Sequence, residues 1–311
     1  MTGYTVHRCP HCGGPLPAPS ATRMERCKFC SLLLAPGPGG WRAAPAEARD
    51  EPLLEPHLPR LWVGGLRYAV LGRLAHGDAS DVYRARRDAR LTEHVLLKIA
   101  RTEADHARLE REQETLAALE SSRVQGAAHF TRLLPQRVDH GVARLGMNGR
   151  DGECRCTVLR WRSGFVHTFD DVFRAHSAGV TPESSVWMWK RVLELLGWVH
   201  RNDVVHGAVV PAHMLLHARD HGVVLAGWSS AARSGGSVTP QTDIAMSAQA
   251  ILRALGGASA PAPLARLLEM HAHREAGCET DAWALKDRLD AVAREVFGPP
   301  RFVRFEMPGW S

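Results

Sequence analysis

Four cysteines stand in two pairs, Cys9-Pro10-His11-Cys12 and Cys27-Lys28-Phe29-Cys30, with fourteen residues between the pairs. Two residues between cysteines let one tight turn aim both sulfurs at a single ion, and Gly13 and Gly14 supply the backbone freedom that turn needs. Cys9, Cys12, Cys27 and Cys30 are therefore read as four thiolates around one structural zinc, closed to catalysis because no coordination position is left open. A segment this short has almost no core of its own, so the metal has to contribute most of its folding free energy. Other ligand-type residues lack that spacing. Cys154-x-Cys156 near His167, and His271-x-His273 with Cys278, each want a defined fourth partner and are read as chance neighbours. The sequence has no H-E-x-x-H and no G-x-S-x-G, so a zinc protease or a serine hydrolase is not indicated.

The cysteines open a chain of 311 residues that is 45% hydrophobic, enough for one substantial core and a small second module. No run of 18 uncharged apolar residues occurs, and the N-terminus lacks a basic stretch followed by an apolar one, so a soluble, cytoplasmic protein without membrane attachment is expected. The net charge of +6 is spread along the chain without a basic block, which permits nucleic-acid binding without indicating it. Residues 1–34 form the candidate ribbon. Residues 35–60, with Pro36-Gly37-Pro38-Gly39-Gly40 and then Pro45, Pro52, Pro56 and Pro59, read as a linker that sustains neither helix nor ladder. From Leu61 a folded domain is expected to 298, first β-rich (Tyr68–Leu74, Asp81–Arg86, His94–Ala100), then helical over 103–119. Further helices are expected over Ser184–His200, Asp243–Leu255 and Ala282–Phe297. A β-rich front and a helical back make an α+β fold of two lobes, about 61–160 and 161–298. Trp187, Trp189 and Trp198 fall at helical spacing and are read as core and rim of the second lobe. The tail 299–311 holds Arg301-Phe302-Val303-Arg304-Phe305, which either packs along the lobe or is offered to a partner.

From Tyr68 onward the order of segments resembles that of protein kinases. Leu71 to Ala85 is similar to the family's glycine-rich loop and second strand. With Val82 at the adenine-covering valine, the three loop glycines fall at Ala75, Gly77 and Ser80, so one survives. Val95-Leu96-Leu97-Lys98-Ile99 resembles the third strand, whose lysine meets the α- and β-phosphates and a glutamate of the next helix. Lys98 takes that place, and Glu112, fourteen residues on, takes the partner's; Glu110 and Glu114 remain alternatives. Gly77, Val82, Lys98 and Glu112 are thus the candidate nucleotide-cleft residues.

The catalytic loop resembles His206-Gly207-Ala208-Val209-Val210-Pro211-Ala212-His213-Met214-Leu215-Leu216, which keeps the frame and changes the chemistry. By the resemblance, Ala208 stands where the family's base aspartate stands, and His213 where an asparagine holds magnesium. Ala226-Gly227-Trp228 falls at the D-F-G position, so Ala226 replaces the second magnesium ligand. A methyl group neither accepts a proton nor holds a cation. Only fourteen residues, Ser229 to Thr242, separate this point from Asp243, too few for an activation segment. Asp243 is similar to the buried aspartate whose carboxylate bonds the catalytic-loop backbone.

The resemblance implies a two-lobed protein-kinase-like fold behind a four-cysteine zinc ribbon and a pseudokinase scaffold that binds partner proteins in a signalling setting. No kinase activity is expected, and ATP is expected to bind weakly or not at all, with bulky Trp228 near the phosphate region counting against it. The alternative is an atypical nucleotide-binding enzyme of the same fold that uses Lys98, Glu112 and a substituted metal ligand such as His213 or Asp220.

Overall fold

A computed structural model describes residues 7–10, 12–18, 25–29, 33–37, 40–43, 58–89, 93–145, 153–236, 238–257 and 259–307. The chain divides into two compact units, Met1–His57 and Leu58–Ser311.

In the first unit, β1 (His7–Arg8) pairs with β2 (Pro15–Leu16), and β3 (Glu25–Arg26), β4 (Leu33–Gly37) and β5 (Gly40–Ala43) form an antiparallel sheet. Residues 35–37 and 40–43 are therefore strand rather than linker. Leu34 pairs with Ala43 and Pro36 with Trp41, and Trp41 is buried with Cys9, Cys27 and Leu34. Gly40 takes φ +137°, which lets the hairpin turn back on itself. The linker reading rested on composition and missed the tryptophan that needs covering. Of its remainder, 38, 39 and 44–57 lie outside the described residues, and Arg60 already begins the first strand of the second unit.

The second unit opens with β6 (Arg60–Val63), β7 (Leu66–His76), β8 (Ser80–Arg87) and β9 (His94–Ala100). After α1 (His106–Glu120) and the short α2 (Ala127–Phe130) come β10 (Arg137–Leu145) and β11 (Glu153–Arg160). These six strands close into a barrel in the order β10-β11-β9-β8-β7-β6, with β6 returning to β10. Alternation along β9 points Val95, Leu97 and Ile99 into the barrel core, with Leu61, Val63, Tyr68 and Ala85, and leaves Lys98 on the outer face. The Leu109, Glu112, Gln113, Leu116 and Leu119 face of α1 is buried.

The helical part follows as β12 (His167–Thr168), α3 (Phe169–Ala175), α4 (Pro182–His200), β13 (Val204–Val205), β14 (Met214–His217), β15 (Gly222–Leu225), β16 (Ala232–Arg233), α5 (Pro240–Leu255), α6 (Ala262–Ala272) and α7 (Ala282–Phe297). Its core gathers Met188, Trp189, Leu195, Leu196, Trp198 and Trp228 around α4. Thr181 caps α4, accepting from the Ser184 amide, with Pro182 at the first position, where its missing N–H costs nothing. Among the described residues no helix is long and apolar enough to cross a membrane.

Candidate functional site

The cysteine cluster is built by a turn and a hairpin. The Gly13 amide donates to Cys9 O at 2.9 Å and the Cys9 amide to Gly14 O at 2.8 Å, a knot closed by Gly13 at φ +73°. A Cβ on Gly14 would stand 2.5 Å from the Phe29 ring, so the two cysteine turns touch there. The sulfurs of Cys9, Cys12 and Cys27 lie within 4.8 Å of one another, and Cys12 Sγ is 3.5 Å from Cys27 Sγ. Thiolates about 2.3 Å from a tetrahedral ion stand about 3.8 Å apart, so this donor set fits a metal of that kind. Cys30, the expected fourth ligand, lies outside the described residues. Among the described residues this is the one grouping of three or more metal-type ligands. Cys156 is buried in the barrel core, where desolvation raises its thiol pKa, while His167 sits in β12. His271 is committed to Leu267 O at 2.8 Å and the Glu279 carboxylate at 2.7 Å. Neither histidine–cysteine arrangement assembles.

On the outer face of β9, Lys98 Nζ bonds Glu112 Oε2, and both side chains are buried. Glu110 instead pairs with Arg155 at 2.6 Å and Glu114 is exposed, because only position 112 shares the buried stripe of α1. Gln113 donates to Thr157 Oγ1 at 3.0 Å and fixes the same helix to β11. Val82 lies opposite Lys98 across the β8–β9 ladder. At the turn between β7 and β8 the Gly77 amide donates to Ser80 O at 2.9 Å, and His76 Nδ1 lies 2.6 Å from Asp81 Oδ1. The turn thus satisfies its own donor instead of presenting it outward.

The positions 208, 213 and 226 meet at the base of the β14–β15 hairpin. His213 Nδ1 donates to Ala208 O at 2.9 Å, and the Ala226 amide donates to His213 O at 2.8 Å. A Cβ on Gly227 would stand 2.5 Å from the His213 ring, so the imidazole lies flat on that glycine, which holds φ +77°. Buried Asp243 accepts from the amides of His206 and Gly207, both at 2.8 Å, and from His200 Nε2 at 3.0 Å. His206 donates from Nε2 to Ala226 O at 3.0 Å and accepts from the Ala208 amide at Nδ1, at 3.2 Å. Burial lowers its pKa to about 4 against the opposing pull of Asp243, while Lys98 adds to the lowering.

One expectation needs revision. Trp228 does not face the cleft: its ring is buried in the helical core, meets His206 edge-on at 4.5 Å and donates to Leu225 O. Asp220, offered as an alternative to His213, sits at the tip of the β14–β15 hairpin beside Arg219 and His217, four ladder pairs from the His213 end. The sequence reading passed over His200, whose only signal is its position at the end of α4, six residues before His206.

No protein-family model and no curated protein matches the sequence. Solved structures do match. The structure of vaccinia related kinase 3 aligns over 80% of this chain and 93% of its own, at 14% identity and a TM-score of 0.57. The BubR1 kinase domain aligns over 76% and 83%, at 11% identity and 0.55. The larger unit of this chain has a protein-kinase-like α+β fold, a β lobe followed by a helical lobe, and a cysteine cluster lies near the N-terminus.

Proposed function

We propose that the chain is a catalytically inactive, protein-kinase-like scaffold that binds partner proteins and carries a structural four-cysteine zinc ribbon. The observation that carries this reading is the corner formed by Ala208, His213 and Ala226. The surrounding frame is complete, with Asp243 holding the loop and His206 tying it to Ala226. Methyl groups stand at the two points where a kinase would place carboxylates. Phosphoryl transfer depends on metal ions neutralising the developing charge, and alanine holds none. Nearby carboxylates are already committed, Glu112 to Lys98 and Asp243 to three donors. Partner binding is supported by exposed Trp62, Val138 and Val142 on the adjoining strands β6 and β10, large apolar side chains that a free monomer gains little by exposing. Zinc is supported by the sulfur spacing, with Cys30 as the fourth ligand.

The rival, a nucleotide-binding enzyme of altered metal ligation, draws on the intact Lys98–Glu112 pair. That pair equally pins α1 to the sheet, and breaking one end of such a buried pair costs about 3–5 kcal/mol whatever its role. Incubation with labelled ATP, magnesium or manganese and generic protein acceptors is expected to show no transfer above a boiled control. Transfer that Lys98→Ala abolishes would replace the scaffold reading with the enzyme.

A further inference from the structure

The C-terminal segment behaves as a ligand of the helical lobe. Helix α7 stops at Phe297 because Gly298 takes φ +78° and Pro299 and Pro300 cannot continue it. Residues 301–307 then run without helix or strand over a surface made by α3, α4 and the β14–β15 turn. Phe302 stacks on His221 at 4.3 Å and 13°, and His221 stacks on Trp187 at 4.1 Å and 3°, a pile of three rings whose outermost member is 71% exposed. Phe305 is buried edge-on against Trp187 at 5.8 Å and beside His176 at 5.0 Å, and His176 Nε2 donates to Glu306 O at 3.0 Å. Side-chain contacts and side chain-to-backbone bonds, without helix or ladder, tie the segment down, the pattern of a part that opens at low cost.

The surface beneath is fixed by secondary structure and its hydrogen bonding is incomplete. Trp187 Nε1 is buried and makes no hydrogen bond although the tail lies against its ring, whereas the His221 ring interacts with the Val303 backbone of the tail. Buried ring N–H groups normally find acceptors. The tail fills the shape and leaves Trp187 Nε1 unmet.

We propose that Trp187, His221 and His176 form a docking site for an extended partner segment with two aromatic side chains three residues apart and an acceptor side chain between them, and that Phe302 and Phe305 keep this site shut in cis. The inference rests on the scaffold reading and names the surface that would serve it. A tethered ligand acts at an effective concentration in the millimolar range, so a free segment has to outcompete it. The site therefore discriminates against segments that merely copy the tail and favours one that also satisfies Trp187 Nε1.

The test is fluorescence anisotropy of a labelled peptide of residues 300–307, titrated with the full chain and with its Phe302→Ala/Phe305→Ala variant. The variant is expected to bind at least about tenfold more tightly than the unaltered chain, because the cis competitor is gone. Adding Trp187→Ala to it should remove that binding. Should the double variant fail to fold, Phe302→Ala alone removes a mostly exposed ring and should still raise affinity. Equal affinity in all variants, or none in a folded double variant, overturns the proposal. So does a dimer of the unaltered chain that Phe302→Ala dissolves, which would give the tail to a second copy. Phosphoryl transfer by the chain would refute the scaffold and leave the peptide result standing.

Discussion

Asp243 takes three donors on one buried carboxylate, and those bonds account for the shape of the loop from His206 to Ala208. Its role was legible through the resemblance, which implies a buried aspartate here bonded to the loop backbone, and a buried carboxylate has to be paired. Glu112 was legible in the same way, as the partner the resemblance implies for Lys98, with Glu110 and Glu114 left open until the buried stripe of α1 was seen. Ring orientations were not legible. Trp228 turns into the core and His213 lies over Gly227 because neighbours distant in sequence leave room there, which spacing does not encode. His206 carries a consequence that can be measured. Its Nδ1 accepts from the Ala208 amide, so the folded loop needs a neutral ring, and burial holds its pKa near 4 against about 6.5 when unfolded. Below pH 6.5 the unfolded chain takes up a proton that the folded chain refuses. The stability due to this group is complete above that pH and falls by about 1.4 kcal/mol per unit down to pH 4. Between pH 7.5 and 5 the loss should be roughly 2 kcal/mol, read from urea midpoints, and a His206→Gln variant should show a slope flatter by that amount. An unchanged slope would mean the ring is protonated in the fold.

At the scale of elements, strands β7 to β9 and helices α1, α4, α5 and α7 were visible because each keeps one period over two or more turns or four or more strand residues. Barrel closure was not, since β6 is four residues long and finds β10 from far along the chain. Nor was the β4–β5 hairpin, hidden in a run of Pro and Gly. The crossing of α4 and α7 was equally hidden. It depends on Gly197, where a Cβ would stand 2.0 Å from Trp283 Cδ1. Trp283 cannot swing away cheaply, because its Nε1 donates to Glu194 O at 2.9 Å and Arg201 lies 4.0 Å over its ring. Alanine would gain up to about 1 kcal/mol of helix propensity and lose more by forcing the helices apart. Gly197→Ala should therefore lower stability by about 1–3 kcal/mol in denaturant titration. A neutral or stabilising outcome would show that the ring repacks freely.

The whole molecule has cores of very unequal size. The described core of the first unit consists of Cys9, Cys27, Leu34 and Trp41, with Leu16 packed beside it, whereas the second unit has a barrel core and a helical core drawn from its own residues. Half of the small core's members are metal-type ligands, so apolar burial there falls well short of the entropy of ordering the segment. A metal that binds only the folded state closes that gap, and its removal should unfold the small unit alone. Protein prepared without added zinc is expected to contain about one equivalent by elemental analysis, through Cys9, Cys12, Cys27 and Cys30. Cys27→Ser should lose most of that metal and the ordered amide signals of residues 7–43, while the main thermal transition keeps its midpoint, because neither large core contains a residue of the first unit. Cys30→Ser should behave in the same way if Cys30 completes the tetrahedron. Full metal occupancy in Cys27→Ser would sink the ligand assignment, and a main transition that falls with the metal would show that the larger unit draws stability from the ribbon.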